Sequence, residues 1–334
     1  MAIEDMNELA TIIVPMYNGK KYIKKLLSNI FTQSYQNIEL IILDDGSSDG
    51  SGEYVSELLK RAPSSFRVKM INQDNSGIPL TRNRGLDEAS GEYIFFIDQD
   101  DGIRKEYISS FVEEMNKTHA DMVIGGYELV DTNGYKLDKW VLNPDKLYSK
   151  YRITAPWARV YRKDIIDKYG IRFMNTKVSE DMYFNLVYMS YCSKISVTSY
   201  CGYRWTYNEQ SESHSNWNKI SDERDIFAVL TQIQEDMSID NCLEDECVGY
   251  MNIKHIVWYL FYVAKNSCRK DLEDIYNSSF EWLDKYYPHY YNNRVIYRYL
   301  KYGESFKVGM IVMLSVILKR LNLLFVVLRL YSKL

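Results

Sequence analysis

The chain has 334 residues, 46% apolar and 26% charged, with 6 prolines and 16 glycines. Disordered, collagen-like and low-complexity classes are excluded, and at roughly 150 residues per domain one large or two ordinary folded domains are expected. A net charge of −4 argues against a nucleic-acid binder, which needs a basic excess to neutralise phosphates.

The first apolar run, Thr11 to Val14, reads as a β-branched strand ending at Pro15, and Asn18-Gly19 turns it into a helix over Lys20 to Gln33 with Tyr22, Ile23, Leu26, Leu27, Ile30 and Phe31 at helical spacing. A second strand, Ile38 to Leu43, runs into Asp44-Asp45-Gly46, and Ser48 and Asp49 can cap a helix over Gly50 to Arg61. Strand three is Arg67 to Asn72, followed by a helix from Pro79 to Ser90. Strand four, Tyr93 to Ile97, ends in Asp98-Gln99-Asp100-Asp101. This strand–helix alternation predicts a parallel α/β sheet, whose ligands sit at the carboxyl ends of the strands. Beyond Phe111 the spacing predicts a helix to Thr118, a strand Met122 to Gly125, a polar turn at Asp131-Thr132-Asn133-Gly134, helices near 163–169 and 180–190, and a strand near 195–203. From Lys219 helix formers take over and Tyr and Trp become dense, so the organisation expected is a first domain over 1–212 and a helical module over 213–334. Five cysteines at irregular spacing suggest neither a disulfide framework nor a zinc site, and the acidic opening MAIEDMNELA has no apolar signal core. Reduced thiols and a cytoplasmic location are therefore expected.

The acid string Asp98, Asp100, Asp101 after an apolar strand is the strongest chemical signal. Carboxylate oxygens are preferred ligands of Mg2+ and Mn2+, and those ions bind diphosphates. A solvated turn is the alternative reading, since Asp is common where strands end. Three further stretches supply what a nucleotide needs: Val14-Pro15-Met16-Tyr17-Asn18 an aromatic face, Asp44-Asp45-Gly46-Ser47-Ser48-Asp49 an acceptor for a base N–H or ribose hydroxyl, and Thr81-Arg82-Asn83-Arg84-Gly85 guanidinium groups for phosphate. Singly, these are turn residues, a helix cap and a solvated helix face; their order along the chain joins them at one sheet edge.

From Thr11 to Ser213 these motifs resemble a family 2 glycosyltransferase with the GT-A fold, the nucleotide-sugar transferases of bacterial polysaccharide synthesis. The resemblance implies a Rossmann-like α/β nucleotide-sugar domain in which Pro15, Tyr17, Asn18 and Asp45 surround the nucleotide and Arg82 or Arg84 contacts it. It further places Asp98 and Gln99 on the donor and Asp100 on Mn2+ or Mg2+. Ser179-Glu180-Asp181 resembles the family's ED motif, which makes Asp181 the general base and Glu180 a supporting acid; the plain alternative is two acids complementing a helix dipole. The processive QxxRW motif is absent: Cys201-Gly202-Tyr203-Arg204-Trp205 lacks its Gln and resembles the YR segment of non-processive members. His214 is a second candidate metal ligand, with a plain loop histidine as the alternative. An inverting transfer of single sugars is expected, from a UDP-sugar to a growing capsule, exopolysaccharide or teichoic-acid glycan, the acceptor being lipid-linked in such systems. The rival reading is an inactive nucleotide-sugar-binding subunit supporting a partner transferase. A dinucleotide-dependent dehydrogenase is excluded by the lack of GxGxxG after strand one.

Val308 to Leu330 is nearly all apolar, with Ser315, Lys319, Asn322 and Arg329 forming one polar stripe on a single expected helix. Residues 301–334 carry six Lys or Arg against one Glu, a local +5 that leaves −9 for the rest of the chain. Lys319-Arg320 in its middle opposes a bilayer span. Two readings stay open: a helix lying on the cytoplasmic face of the membrane, or one packed on its own core or a partner, including a second copy in a homo-oligomer.

Overall fold

The computed structural model describes residues 8–208, 226–237, 246–266 and 268–333. Two compact units emerge, one of residues 1–144, 155–175 and 180–211, the other of 145–154, 176–179 and 212–334. The expected boundary at 212/213 and His214 both lie outside the described residues.

The first unit is built on a nine-stranded sheet in the order β3-β2-β1-β4-β8-β6-β9-β5, with β7 paired to β6. Strands β1 (Ala10–Met16), β2 (Ile38–Asp45), β3 (Arg67–Gln73) and β4 (Tyr93–Phe96) are parallel, linked through helices α1 (Ile23–Phe31), α2 (Ser51–Leu59) and α3 (Ile78–Glu88). Every residue of β1 and β2 is buried, as expected where helices cover both faces of a sheet. β1 continues through Pro15 rather than stopping at it. Amide and carbonyl of one residue point to the same side of a strand, and Ile13 faces β4, accepting from Ile97 N–H. Pro15, two residues on, therefore faces the same side, beyond the last β1–β4 pair, where no donor is needed. Gly85 lets α3 lie close on the sheet, since a Cβ there would stand 2.5 Å from the Ile13 side chain.

The four strands read from the alternation are parallel as expected, and the remaining strands make the whole sheet mixed. β8 (Arg159–Arg162) is antiparallel to β4 and β6 (Met122–Val130), β9 (Ile195–Thr206) is parallel to β6, and β5 (Gly102–Ile103) is antiparallel to β9. The Asp131–Gly134 turn joins β6 to β7 (Lys136–Trp140) as a hairpin, Gly134 taking φ +88°. Helices α4 (Tyr107–Thr118), α5 (Lys163–Tyr169) and α6 (Glu180–Ser190) complete the unit. Phe96 packs edge-on against Tyr161, Phe173 and Phe184, a core cluster behind the end of β4.

The second unit contains α7 (Ile226–Asp236), α8 (Glu246–Asn266), α9 (Arg269–Tyr286), α10 (Phe306–Arg320) and α11 (Leu324–Tyr331). Residues 145–154 join it through Tyr148, whose ring meets Tyr250 of α8 at 4.9 Å, and through Arg152, which with Lys254 flanks the buried Glu304 at 3.9 and 3.2 Å. The single apolar helix expected over 308–330 is two helices. Asn322 adopts φ +59°, and Leu323 N–H bonds Leu318 C=O at 2.8 Å, a Schellman-type stop in which Asn replaces the usual glycine. No helix among the described residues is long and apolar enough to cross a membrane.

Candidate active site

The carboxyl ends of β1, β2 and β4 open on one edge of the first unit. After β1, Tyr17 is half-exposed and Asn18 takes φ +48°. Asn18 ties this loop to the turn after β2: its N–H donates to Ser47 Oγ at 2.8 Å and its Oδ1 accepts Ser48 N–H at 2.9 Å. Asp45 is saturated by Gln73 Nε2 (2.7 Å), Ser76 N–H (2.8 Å), Ser76 Oγ (3.1 Å) and Gly77 N–H (2.9 Å). These bonds hold its carboxyl below the ordinary carboxylate value against the opposing effect of burial. Asp45 therefore organises the loop that starts α3. Arg84, exposed on α3, donates to Gln73 Oε1 at 3.2 Å and so stands beside that network.

Arg82 lies elsewhere. Only 2% exposed, it donates through Nη2 to Asp98 (2.9 Å) and through Nη1 to Asp181 (2.6 Å), with Glu180 at 4.0 Å. The two guanidines, either of which was expected on the nucleotide, thus point different ways from one helix: Arg84 near Asp45, Arg82 between the acids. Asp181 lies in the first turn of α6, which opens at Glu180 directly after Ser179, itself at φ +58°, a left-handed conformation that non-glycine residues rarely adopt outside special sites. Burial pushes the Asp181 carboxyl up, while Arg82 and the buried Arg159 of β8 pull it down.

The acid loop is fixed at both ends, because β4 precedes it and β5, paired with β9, follows it. Its third acid, Asp101, is buried, accepting Tyr203 OH at 2.5 Å and Thr206 N–H at 2.8 Å, while the Tyr203 oxygen accepts Asp98 N–H at 3.3 Å. Gln99 joins the loop to β1: Oε1 accepts Tyr17 N–H at 3.1 Å and Nε2 donates to Tyr17 C=O at 2.9 Å. The Gln99 amide, expected on the donor, is engaged with the main chain of the loop after β1. Asp100 has its carboxyl pushed up to about 6, first by burial and then by the Asp98 charge.

A hard divalent cation fits this donor set, since it would relieve the Asp98–Asp100 repulsion with oxygen ligands. Among the described residues no three His, Cys, Asp or Glu side chains converge on a metal position. A cation here would thus rest on one or two carboxylates and complete its shell with water and diphosphate, as Mg2+ commonly does. Sequence reasoning did not single out Arg159, Gln73 or the anchoring partnership of Asp101 with Tyr203. Asp101 was visible as the fourth residue of the acid string and Tyr203 within the Cys201–Trp205 segment; Arg159 and Gln73 carry no motif.

Residues 11–170 match the sequence profile described as Glycosyl transferase family 2. Glycosyltransferase GlyA of Streptococcus pneumoniae is 31% identical over 198 residues, 54% of this chain but 28% of GlyA, so the chain matches well under half of that relative's length. Poly(ribitol-phosphate) beta-N-acetylglucosaminyltransferase TarP of Staphylococcus aureus is 25% identical over 233 residues, 67% of this chain and 70% of TarP. The crystal structure of S. aureus TarS 1-349 in complex with UDP-GlcNAc superposes with a TM-score of 0.71 at 19% identity, covering 94% of this chain and 92% of that one; the fold is that GT-A fold. With its ordered motifs at the carboxyl edge of the sheet, the 11–170 segment of this chain belongs to glycosyl transferase family 2.

Proposed function

We propose that the chain is an inverting glycosyltransferase that moves a single sugar from a UDP-sugar to a hydroxyl of a growing surface glycan of teichoic-acid or capsule type. The observation that carries this reading is the Arg82 bridge, which sets Asp181 beside Asp98 at the sheet edge where the nucleotide-side loops converge. A proton acceptor and the acid loop after β4 thereby share one site. Asp181 removes the proton of the acceptor hydroxyl as its oxygen bonds to the anomeric carbon; the bond from that carbon to the diphosphate oxygen breaks, and UDP leaves with the electron pair. Glu180 supports this base, Asp98 faces the ribose, and Pro15, Tyr17, Asn18 and Asp45 frame the nucleotide with Arg84 at its rim. Asp100 would hold Mn2+ or Mg2+, whose chemistry is to neutralise charge growing on the leaving diphosphate. The UDP-GlcNAc bound to TarS and the poly(ribitol-phosphate) acceptor in TarP's name support a UDP donor and a polyol-phosphate or related glycan acceptor.

The test is UDP release from a panel of UDP-sugars with teichoic-acid and capsule-type acceptors, with Mn2+ and with chelator. Turnover with one donor is expected. Tight donor binding with no UDP release on any acceptor would instead favour the inactive-subunit reading.

A further inference from the structure

The last two described helices present a surface that the transfer chemistry does not use. On α10 and its C-cap, Phe306, Met310, Met313, Leu314, Ile317 and Leu321 stand at i, i+4, i+7, i+8, i+11 and i+15. At about 100° per residue they share one stripe about 100° wide. All six retain solvent exposure, Phe306 and Leu321 at 60%, while the opposite side, with Gly309, Val312, Ser315 and Val316, is buried in the second unit. Helix α11 repeats the arrangement, burying Leu324 and Leu328 and exposing Leu323, Val326 and Leu330. Two successive helices thus each turn an apolar side outward, a grouping that singly scattered exposed apolar residues would not produce.

Charge follows the same face. Lys307 and Arg320 fall just outside the two edges of the α10 stripe, Lys301 is exposed ahead of α10, and Lys333 is exposed after α11. The one acid of this segment, Glu304, is buried between Lys254 and Arg152 and does not offset the surface cations.

We propose that this face docks on a bilayer containing anionic lipid, lying in the interface with its apolar stripe among the acyl chains and its cations at the headgroups. A span is excluded for these helices by their length and polarity. A second copy meeting the same face would set the segment's excess cations against themselves, whereas a bilayer offers apolar depth and negative charge together. The rest of the chain carries a net −9, so the positive excess an anionic surface would attract is concentrated in this segment. The proposal stands apart from the transfer chemistry, and its test reads no activity.

Full chain would be sedimented with vesicles of phosphatidylcholine alone and with phosphatidylglycerol added, at low and high salt. Co-sedimentation is expected with the anionic vesicles only, weakened at high salt. It should fall at least tenfold in Lys301→Glu/Lys307→Glu/Lys333→Glu and in Phe306→Ser/Leu321→Ser/Leu330→Ser, with unchanged thermal melting and UDP binding showing both variants folded. Full chain left in the supernatant, or binding that survives both variants, overturns the proposal. So does a lipid-free dimer in light scattering that the serine variant dissociates, which would assign the face to self-association.

Discussion

Replacing Arg82 tests the geometry of the candidate site most directly, because one side chain holds two acids. In Arg82→Met the buried guanidinium, 2% exposed, is lost, and Asp98 and Asp181, each with side chains 27% exposed, repel without compensation. Removing one partner of a buried pair costs about 3–5 kcal/mol, and the partial exposure of both acids places this case near 3 kcal/mol. At roughly 2–4 °C per kcal/mol for a unit of this size, Tm should fall by about 6–12 °C. The sign with pH follows from Asp181. Its folded-state value is already raised, so ionising it disfavours folding above its ordinary 3.8. Without Arg82 the value rises further, because a lowering influence is gone. The Asp181 contribution to the stability difference between parent and variant should therefore be small near pH 3 to 4, where Asp181 is protonated in both folded states, and should grow as pH rises through the folded-state value. In turnover, the acid limb reporting Asp181 ionisation should move to higher pH, with kcat down roughly a hundredfold at neutral pH. Arg82→Lys, which keeps the charge but not the two-pronged fork, should recover most of the Tm and little of the kcat. Calorimetry across pH and UDP-release profiles measure both; an unmoved acid limb with full kcat in Arg82→Met would refute the bridging role.

Asp181→Asn keeps shape and removes the proton acceptor, so kcat should drop a hundredfold or more while UDP-sugar affinity by calorimetry persists; parallel loss of affinity would make Asp181 a binding residue. Asp100→Ala and chelator should each abolish transfer with the melting profile intact, and full turnover in chelator would end the metal assignment. Gln99→Ala frees the Tyr17 main chain from the acid loop, so donor KM should rise about tenfold with a smaller change in kcat; unchanged donor KM would show that the link does not shape the nucleotide side. Tyr203→Phe removes one donor to the buried Asp101 and should lower stability by about 1–3 kcal/mol, read in urea unfolding; a loss within 0.3 kcal/mol of zero would mean that the Tyr203 hydroxyl does not hold the loop.

Local pattern carried much of this protein. The β-branched runs at Thr11–Val14 and Ile38–Leu43 and the apolar spacing of Leu26, Leu27 and Ile30 each satisfy a short-range period, and strand and helix formed where that period lies. Acids directly after apolar strands had to emerge at one sheet edge once those strands ran parallel, and so the candidate residues 45, 98 and 100 were legible as a group. What stayed hidden depends on distance along the chain. The pairing of β8 between β4 and β6 has no local signature, because a four-residue strand such as Arg159–Arg162 is selected by its neighbours. The break at Asn322 was masked by continuous apolar composition, since hydropathy reports burial and one residue's φ decides continuity. Arg82 and Arg84, two positions apart on one helix, differ by about 200° in direction, so one enters the acids and the other faces Gln73. Residue type marks which groups can carry charge or accept a proton. Which of them meet, 99 residues apart in the case of Arg82 and Asp181, was decided only when the sheet closed around them, because burial and pairing are properties of the packed chain.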